Sequence, residues 1–99
     1  MSIEANAADL RDNPGQSRFE LWLDDQMIGL ADYISSPDEL TIAIPHTEID
    51  PQQGGNGYGS IMVRDVLDTL RARGQRVIPQ CSFVAHFIER NPVYRDLVA

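Results

Sequence analysis

Polar and hydrophobic positions alternate over much of the first half of the chain. Residues 17–23 (SRFELWL) show this alternation, a turn follows at Asp24-Asp25, and residues 27–34 (MIGLADYI) are rich in strand-forming residue types. These two stretches predict a β-hairpin. Residues 39–49 (ELTIAIPHTEI) predict a third strand, which is interrupted or bent at Pro45 because proline cannot donate to a sheet ladder.

The hydrophobic period changes to that of a helix in the second half. Apolar residues recur three and four positions apart over residues 60–73, and Gly74 supplies a stop, so one amphipathic helix is predicted there. Residues 76–81 (RVIPQC) predict a short buried strand. Ser82 is predicted to cap a second helix that runs to Arg90 and is stopped by Pro92.

The order strand, strand, strand, helix, strand, helix predicts an α/β (α+β) fold. An antiparallel three-stranded meander is followed by one βαβ-type crossover. Residues 1–16 lack a hydrophobic period and end in Asn13-Pro14-Gly15, so they predict a flexible N-terminal arm. Residues 17–99 then form a single domain.

Composition and charge exclude several classes of function. The net charge is −7, with two Arg against eleven acidic residues over residues 1–53. This disfavours nucleic acid as a partner, because neutralising phosphates requires a basic surface. The chain contains no Lys, which excludes a Schiff base, and its single Cys and two His predict no metal site. No apolar run reaches the roughly 20 residues of a membrane span, so a cytoplasmic protein without a membrane partner is predicted.

A glycine-rich stretch, residues 54–60 (GGNGYGS), lies between the third strand and the first helix. Unpaired N–H groups and the helix dipole at such a place favour an anion, and four glycines allow close backbone approach. Two glycines would suffice for a tight turn alone. A P-loop needs a Lys after its last Gly, and the dinucleotide fingerprint needs a Gly at position 60, where Ser60 stands. A pyrophosphate is the anion that remains.

This stretch resembles the Q/RxxGxG/A loop of the GNAT superfamily of acyl-CoA N-acyltransferases. Placing the two glycines of that pattern on Gly57 and Gly59 puts Gly54 where Gln or Arg is usual, and we prefer this register because the loop then ends where the helical period begins. A second register uses Gln52, Gly55 and Gly57. The loop residues assigned to cofactor binding are Gly54, Gly55, Asn56, Gly57, Tyr58, Gly59 and Ser60.

Four further motifs are similar to those of a minimal, single-domain GNAT-like family. They are RFEL at residues 18–21, HTE at 46–48, VxPxC at 77–81 and PxYxxLV at 92–98. With the glycine loop they occur in the family's order over nearly the whole predicted domain. The resemblance implies a truncated GNAT fold that binds acetyl-CoA in a cleft between two splayed parallel strands. Thr47 and Ile49 on the strand before the loop would pair with pantetheine, and Tyr94 would pack beside the cofactor.

The resemblance implies acetyl transfer to an amine, which needs a proton acceptor and donors for an oxyanion. By period two, His46 and Glu48 are expected to continue the face of Ile42 and Ile44, and either is a candidate base. A polar pair facing solvent is the alternative. Cys81 ends the next strand, on the opposite wall of the cleft, and is either a functional thiol or a small buried apolar residue.

Two further readings of the same residues stay open. The chain could be a non-catalytic CoA-binding regulatory or adaptor module, or the loop could sense nucleotide phosphates. The acidic first half favours a cationic acceptor, such as a polyamine or a basic peptide. Larger relatives build the acceptor pocket with an N-terminal strand and helices, and the resemblance therefore implies a protein partner that completes this site here.

Overall fold

A five-stranded sheet and two α-helices make up the fold in the computed structural model, which describes residues 8–99. The strands are Asp9–Asn13 (β1), Arg18–Leu23 (β2), Gln26–Ser35 (β3), Thr41–Ile49 (β4) and Arg76–Ile78 (β5). The helices are Tyr58–Ala72 (α1) and Ser82–Arg90 (α2), and short 3-10 segments occupy Pro14–Gln16, Pro51–Gln53 and Pro92–Leu97. No helix among the described residues is long and apolar enough to span a membrane.

The strands lie side by side in the order of the chain. Neighbours from β1 to β4 pair antiparallel, whereas β4 and β5 pair parallel, and α1 makes the crossover between them. The predicted α/β class, with a meander followed by a βαβ crossover, is confirmed. The predicted cap of α2 is wrong by one residue, because Cys81 rather than Ser82 occupies the N-cap position.

Strand β1 lies within the segment for which a flexible arm was predicted. It pairs with β2 from Asp9–Trp22 to Asn13–Arg18. Asp12 ties it to the rest of the fold by accepting hydrogen bonds from the Tyr33 hydroxyl at 2.7 Å and from Arg73 at 2.9 Å. The arm prediction is therefore wrong for residues 9–13. These residues lack a hydrophobic period, but pairing with β2 and the hydrogen bonds of Asp12 hold them in the sheet. Residues 1–7 of that predicted arm lie outside the described residues.

Both helices pack on one face of the sheet, where they enclose the hydrophobic core. The fully buried side chains of this core are Phe19, Leu21, Ile28, Ile44, Met62, Val63, Val66, Leu67, Leu70, Val77 and Val84. Burial of these apolar surfaces is the main stabilising contribution to a domain of this size. The apolar residues that recur along the strands and those that recur along the helices thus form one common hydrophobic core.

The opposite face of the sheet, which we call the outer face, carries a buried carboxylate. Glu20 is 6% exposed and accepts hydrogen bonds from Asn13 at 2.9 Å, Arg18 at 2.8 Å and Trp22 at 3.0 Å. The Asn13 bond lowers the pKa of Glu20 most, the Arg18 and Trp22 bonds lower it further, and burial opposes them. The alternation of the RFEL motif thus places Phe19 and Leu21 in the core and the Arg18–Glu20 pair on the outer face.

Replacing Glu20 with Gln should destabilise the fold at neutral pH by about 2 kcal/mol, because a charged acceptor of three hydrogen bonds is lost. Since the folded-state pKa is below the unfolded one, the stabilisation is present above the unfolded pKa and is lost as pH falls through the folded value. Denaturant unfolding measured between pH 7 and pH 3 should therefore show a shallower loss of stability in Glu20→Gln. Equal slopes for the two proteins would contradict this role of Glu20.

Candidate active site

Strands β4 and β5 separate after a short stretch of pairing. Their ladder runs from Thr41–Arg76 to Ala43–Ile78, and one further bond follows, in which the Cys81 N–H donates to the Ile44 carbonyl at 2.9 Å. Strand β4 continues to Ile49, whereas the chain after Ile78 turns into α2. The edge of β4 beyond Ile44 is thus without a β5 partner, which creates a cleft whose walls are residues 45–49 and the start of α2.

A bulge in β4 decides which side chains face this cleft. Between the pairs Asp32–His46 and Ile34–Ala43, β3 has one residue, Tyr33, whereas β4 has two, Ile44 and Pro45, so β4 carries one extra residue next to Pro45. The bulge shifts the alternation by one position. Thr47 and Ile49 therefore continue the core-facing side of Ile44, and the prediction that His46 and Glu48 share that side is wrong.

The Cys81 thiol meets Thr47 inside the cleft. Their Sγ and Oγ1 atoms lie 3.4 Å apart in a hydrogen bond that either group can donate, and both residues are partly buried. As the N-cap residue of α2, Cys81 also lies beside the first-turn N–H groups of Phe83 and Val84, without the full geometry of a capping hydrogen bond. The structure thus brings one nucleophilic side chain together with several hydrogen-bond donors.

These donors make Cys81 more acidic than an ordinary cysteine. Burial, the largest single influence, raises the pKa of the thiol, but the hydrogen bond with Thr47 and the backbone N–H groups of Val84, Phe83 and Thr47 together outweigh it, so the pKa is lowered. Thiolates at helix N-termini are stabilised in the same way. Cys81 also packs against the hydrophobic core, so it combines a polarised thiol with a partly buried position.

Replacing Thr47 with Val should make Cys81 less reactive, because the thiolate loses a hydrogen-bond donor. A neutral hydrogen bond contributes about 1 kcal/mol, so alkylation of Cys81 by iodoacetamide at pH 7 should slow about fivefold. The rate should recover at high pH, where the thiolate forms in both proteins. Unchanged alkylation rates across the pH range would show that Thr47 does not tune the thiol.

His46 and Glu48 pair with each other on the outer face. The His46 Nε2 and Glu48 Oε2 atoms are 2.7 Å apart, and both side chains are more than half exposed. The hydrogen bond to Glu48 is the main cause that raises the pKa of His46, with burial opposing it and Asp32 adding to the rise. A raised pKa means that His46 becomes a neutral base only at higher pH than an ordinary histidine.

The glycine loop opens directly into α1. This helix begins at Tyr58, two residues earlier than predicted, and its N-cap residue Gly57 has a φ of 81°. No side chain caps the helix and its first turn holds no acidic residue. The N–H groups of Tyr58, Gly59 and Ser60 precede the first intrahelical donor, that of Ile61 to the Gly57 carbonyl. The loop therefore presents free donors at the positive end of a helix.

Gly59 brings this helix start into contact with α2. A Cβ atom at Gly59 would lie 2.9 Å from the ring of Phe83, closer than real side chains approach. Beside this contact lies the loop cavity, of about 300 Å³, whose lining residues are Ile49, Gln53, Gly54, Gly55, Gly57, Tyr58, Gly59, Ser60 and Phe83. It joins the helix start to the last residue of β4. Asn56 is exposed at the tip of the loop and does not line this cavity.

Tyr94 lies in the C-terminal 3-10 segment. It is 8% exposed and donates its hydroxyl hydrogen bond to Asp68 at 2.7 Å, and burial followed by this bond raises its pKa to about 12. Its ring centroid is 5.8 Å from that of Phe87. Tyr94 does not line the loop cavity; it packs its own 3-10 segment against α1 and α2.

Phe83 is the residue of this region that the sequence interpretation missed. The helical period of α2 predicts a buried stripe of Val84, Phe87 and Ile88, and Phe83 lies off that stripe with 44% of its surface exposed. The sequence did offer a signal for Phe83, because a large aromatic residue at a position that the helical period assigns to solvent indicates a contact or binding surface. In the described part of the chain no three His, Cys, Asp or Glu side chains gather as metal ligands would.

Residues 18–97 match the family of GCN5-related N-acetyltransferases, and the chain belongs to that family. The fold is similar to the solution NMR structure of a GCN5-like protein from Staphylococcus aureus, with a TM-score of 0.68 and 24% sequence identity over 97% of this chain and 91% of that one. At this identity the likeness establishes the fold alone. The sequence matches no curated protein. The resemblance drawn from the five motifs is confirmed.

Proposed function

We propose that the protein binds acetyl-CoA in the cleft between β4 and β5 and transfers the acetyl group to an amine. The observation that carries the proposal is the uncapped, glycine-rich start of α1, which opens on a cavity beside Ile49 and Phe83. Its free N–H groups suit a pyrophosphate, because they combine unpaired donors with the positive end of the helix dipole. Membership of a family of N-acetyltransferases supports the class of reaction.

The remaining parts of the cofactor also fit residues of the cleft. Residues 45–49 leave their β5-side edge without a strand partner, so Thr47 and Ile49 can offer backbone groups to the amides of pantetheine. That edge leads from the loop toward Cys81. Bound there, acetyl-CoA supplies an activated acetyl thioester, and the donors around Cys81 can stabilise negative charge on an oxygen or a sulfur atom. Tyr94 would support this wall by packing against Phe87.

The acceptor side of the reaction is proposed to lie on the outer face. His46 and Glu48 adjoin the splayed part of β4 there, and one of the pair would take the proton of the incoming amine. Asp32 is the cross-strand partner of His46, so two carboxylates surround the histidine. This charge favours cationic acceptors such as polyamines or basic peptides. Both α-helices pack on the other face, which leaves room for a protein partner that completes the acceptor site.

An assay of CoA release tests this proposal. Acetyl-CoA should be consumed when spermidine or a lysine-rich peptide is added, and much more slowly without an amine. Stabilisation of the fold by acetyl-CoA with no consumption would instead support a CoA-binding regulatory module. Stronger stabilisation by ATP than by CoA would favour a nucleotide sensor and would overturn the cofactor assignment.

A further inference from the structure

A second large cavity lies at the opposite end of the sheet from the glycine loop. Its volume is about 500 Å³, and its walls come from β1 to β4, the C-terminal end of α1 and the loop that follows α1. This volume is in the range of sites that hold small molecules. The cavity shares no lining residue with the loop cavity. It is therefore a site separate from the proposed cofactor cleft.

An unpaired carbonyl oxygen belongs to one wall of this cavity. Gln75 lines the cavity and donates from Nε2 to the Glu39 carbonyl at 2.8 Å, which fixes the orientation of its side-chain amide. The Oε1 atom of the same amide is buried and has no hydrogen-bond donor among residues 8–99. A buried acceptor without a donor is unfavourable, so this wall is suited to a molecule that brings an N–H group.

The carboxylate of Glu39 is a second acceptor at the same place. Glu39 is exposed, lines the cavity and forms no ion pair within residues 8–99. Its carbonyl is the group that accepts the hydrogen bond of Gln75, so the two acceptors belong to neighbouring residues. A negative charge beside an unpaired carbonyl oxygen favours an ammonium group.

Arg73 supplies the opposite charge, two residues before Gln75. Its Nη1 atom donates to Asp12 at 2.9 Å, and the other guanidinium donors have no partner within the described part of the chain. Asp12 also accepts from the Tyr33 hydroxyl at 2.7 Å, so this carboxylate is already satisfied. A guanidinium with remaining donors suits a carboxylate, whose two oxygens match its fork geometry.

Apolar side chains complete the cavity between these charged groups. Ile34 lines it with 61% of its surface exposed, and the core residues Ile42 and Leu70 lie beneath. Burying the Ile34 side chain against a ligand would remove apolar surface from water. The cavity thus offers a cationic group, an anionic group and a small apolar surface together.

We propose that this cavity binds an α-amino acid with a small apolar side chain. Arg73 donates to the carboxylate of the amino acid, its ammonium group donates to Glu39, and its side chain contacts Ile34. Oε1 of Gln75 is covered in this structure, so the Gln75 side chain turns toward the ammonium group on binding. A purely structural role of Arg73, as the link between α1 and Asp12 on β1, would give no affinity for an amino acid.

An NMR titration with L-leucine and two of its analogues tests the assignment in the absence of acetyl-CoA. L-Leucine should give saturable shifts for the backbone amides of Ile34, Ser35 and Arg73 and for the side-chain amide of Gln75. The analogue 3-methylbutylamine lacks the carboxylate, and 4-methylpentanoate lacks the ammonium group. Each should bind about tenfold or more weakly than L-leucine, as expected for the loss of charge-assisted hydrogen bonds.

Two variants assign the charged groups of the ligand to residues. Arg73→Gln should bind L-leucine about tenfold more weakly, and no more tightly than it binds 3-methylbutylamine. Glu39→Gln should lose the preference for L-leucine over 4-methylpentanoate. The matched control is Arg64→Gln, which also removes an arginine from an exposed ion pair of α1 and should bind all three ligands as the wild type does.

The result does not depend on cofactor binding, because the cavity and the cleft share no residue. Three results would each overturn the site: no saturable shift of these amides with millimolar L-leucine, equal affinities for the three ligands, or unchanged L-leucine affinity in both variants. Tighter binding of 3-methylbutylamine than of L-leucine would overturn the amino-acid assignment in favour of a simple amine. Both variants should fold, because exposed ion pairs add little stability, and Glu39→Gln breaks none.

Discussion

Gly57→Asp is expected to abolish the increase in melting temperature that acetyl-CoA gives to the wild-type protein. At about 100 times its dissociation constant, a ligand stabilises a fold by roughly 2.7 kcal/mol, which raises the melting temperature of a domain this small by about 10 °C or more. Gly57 is the N-cap of α1, so an Asp there would place a carboxylate on the donors that we assign to the pyrophosphate. Thermal unfolding with and without millimolar acetyl-CoA measures the effect.

The matched control is Asp65→Asn, which removes one charge from an exposed ion pair with Arg64 farther along the same helix. This variant should keep the full increase. Because Gly57 has a φ of 81°, the Asp variant should also melt somewhat lower without ligand, so each protein is compared with its own ligand-free form. A Gly57→Asp protein that acetyl-CoA stabilises as strongly as the wild type would contradict the assignment of the loop.

Cys81→Ala is expected to remove both a covalent acetyl adduct and turnover. In this account the Cys81 thiolate attacks the thioester carbonyl, a new S–C bond forms, and CoA leaves as its thiolate. The amine then attacks the acetyl-cysteine carbonyl, an N–C bond forms, the S–C bond breaks to release the Cys81 thiolate, and the amine proton passes to the His46–Glu48 pair. Intact-protein mass spectrometry after mixing with acetyl-CoA alone should show a mass increase of one acetyl group, absent in Cys81→Ala. Turnover should fall by about 100-fold or more, while stabilisation by acetyl-CoA should persist.

Direct attack of the amine on acetyl-CoA predicts a different pattern. Cys81→Ala would then keep substantial activity, no adduct would form under single-turnover conditions, and the loss of activity would follow Glu48→Gln or His46→Gln instead. Since the pKa of His46 is raised, a rate that depends on its neutral form should increase with pH through a value above that of an ordinary histidine. Thr47→Val separates the two routes further, because it alters the thiol without touching the His46–Glu48 pair.

Much of the fold could be predicted because hydrophobic period and burial agree in most elements. The alternation around Phe19 and Leu21 and the helical period of α1 both report one buried face. Strand β1 could not be predicted this way, because DLRDN contains one apolar residue and is held by its partner strand and by polar contacts of Asp12. A strand that is held in place by residues far away in the chain need not show alternating apolar residues in its own sequence.

The candidate site was predicted in its parts but not in its arrangement. The loop residues and Cys81 carry recognisable chemistry, so the sequence alone could point to them. The bulge at Pro45 decides which side chains of β4 face Cys81. Because of this one extra residue, Thr47 rather than His46 points into the cleft. Pro45 predicted an interruption in the strand, but whether it shifts the alternation depends on the pairing with β3. The Phe83–Gly59 contact likewise arises from two segments that only the tertiary fold brings together.

The central claim, that acetyl-CoA occupies the cleft between β4 and β5, is tested most directly by a ¹H–¹⁵N NMR titration of the full chain. The account predicts saturable shifts for the amides of the loop and start of α1, of Thr47 and Ile49, and of Cys81 to Val84. A cavity of about 500 Å³ at the opposite end of the sheet, bordered by Asp12, Tyr33 and Arg73, serves as the internal comparison. Shifts confined to that cavity, with the loop amides unmoved, would contradict the account.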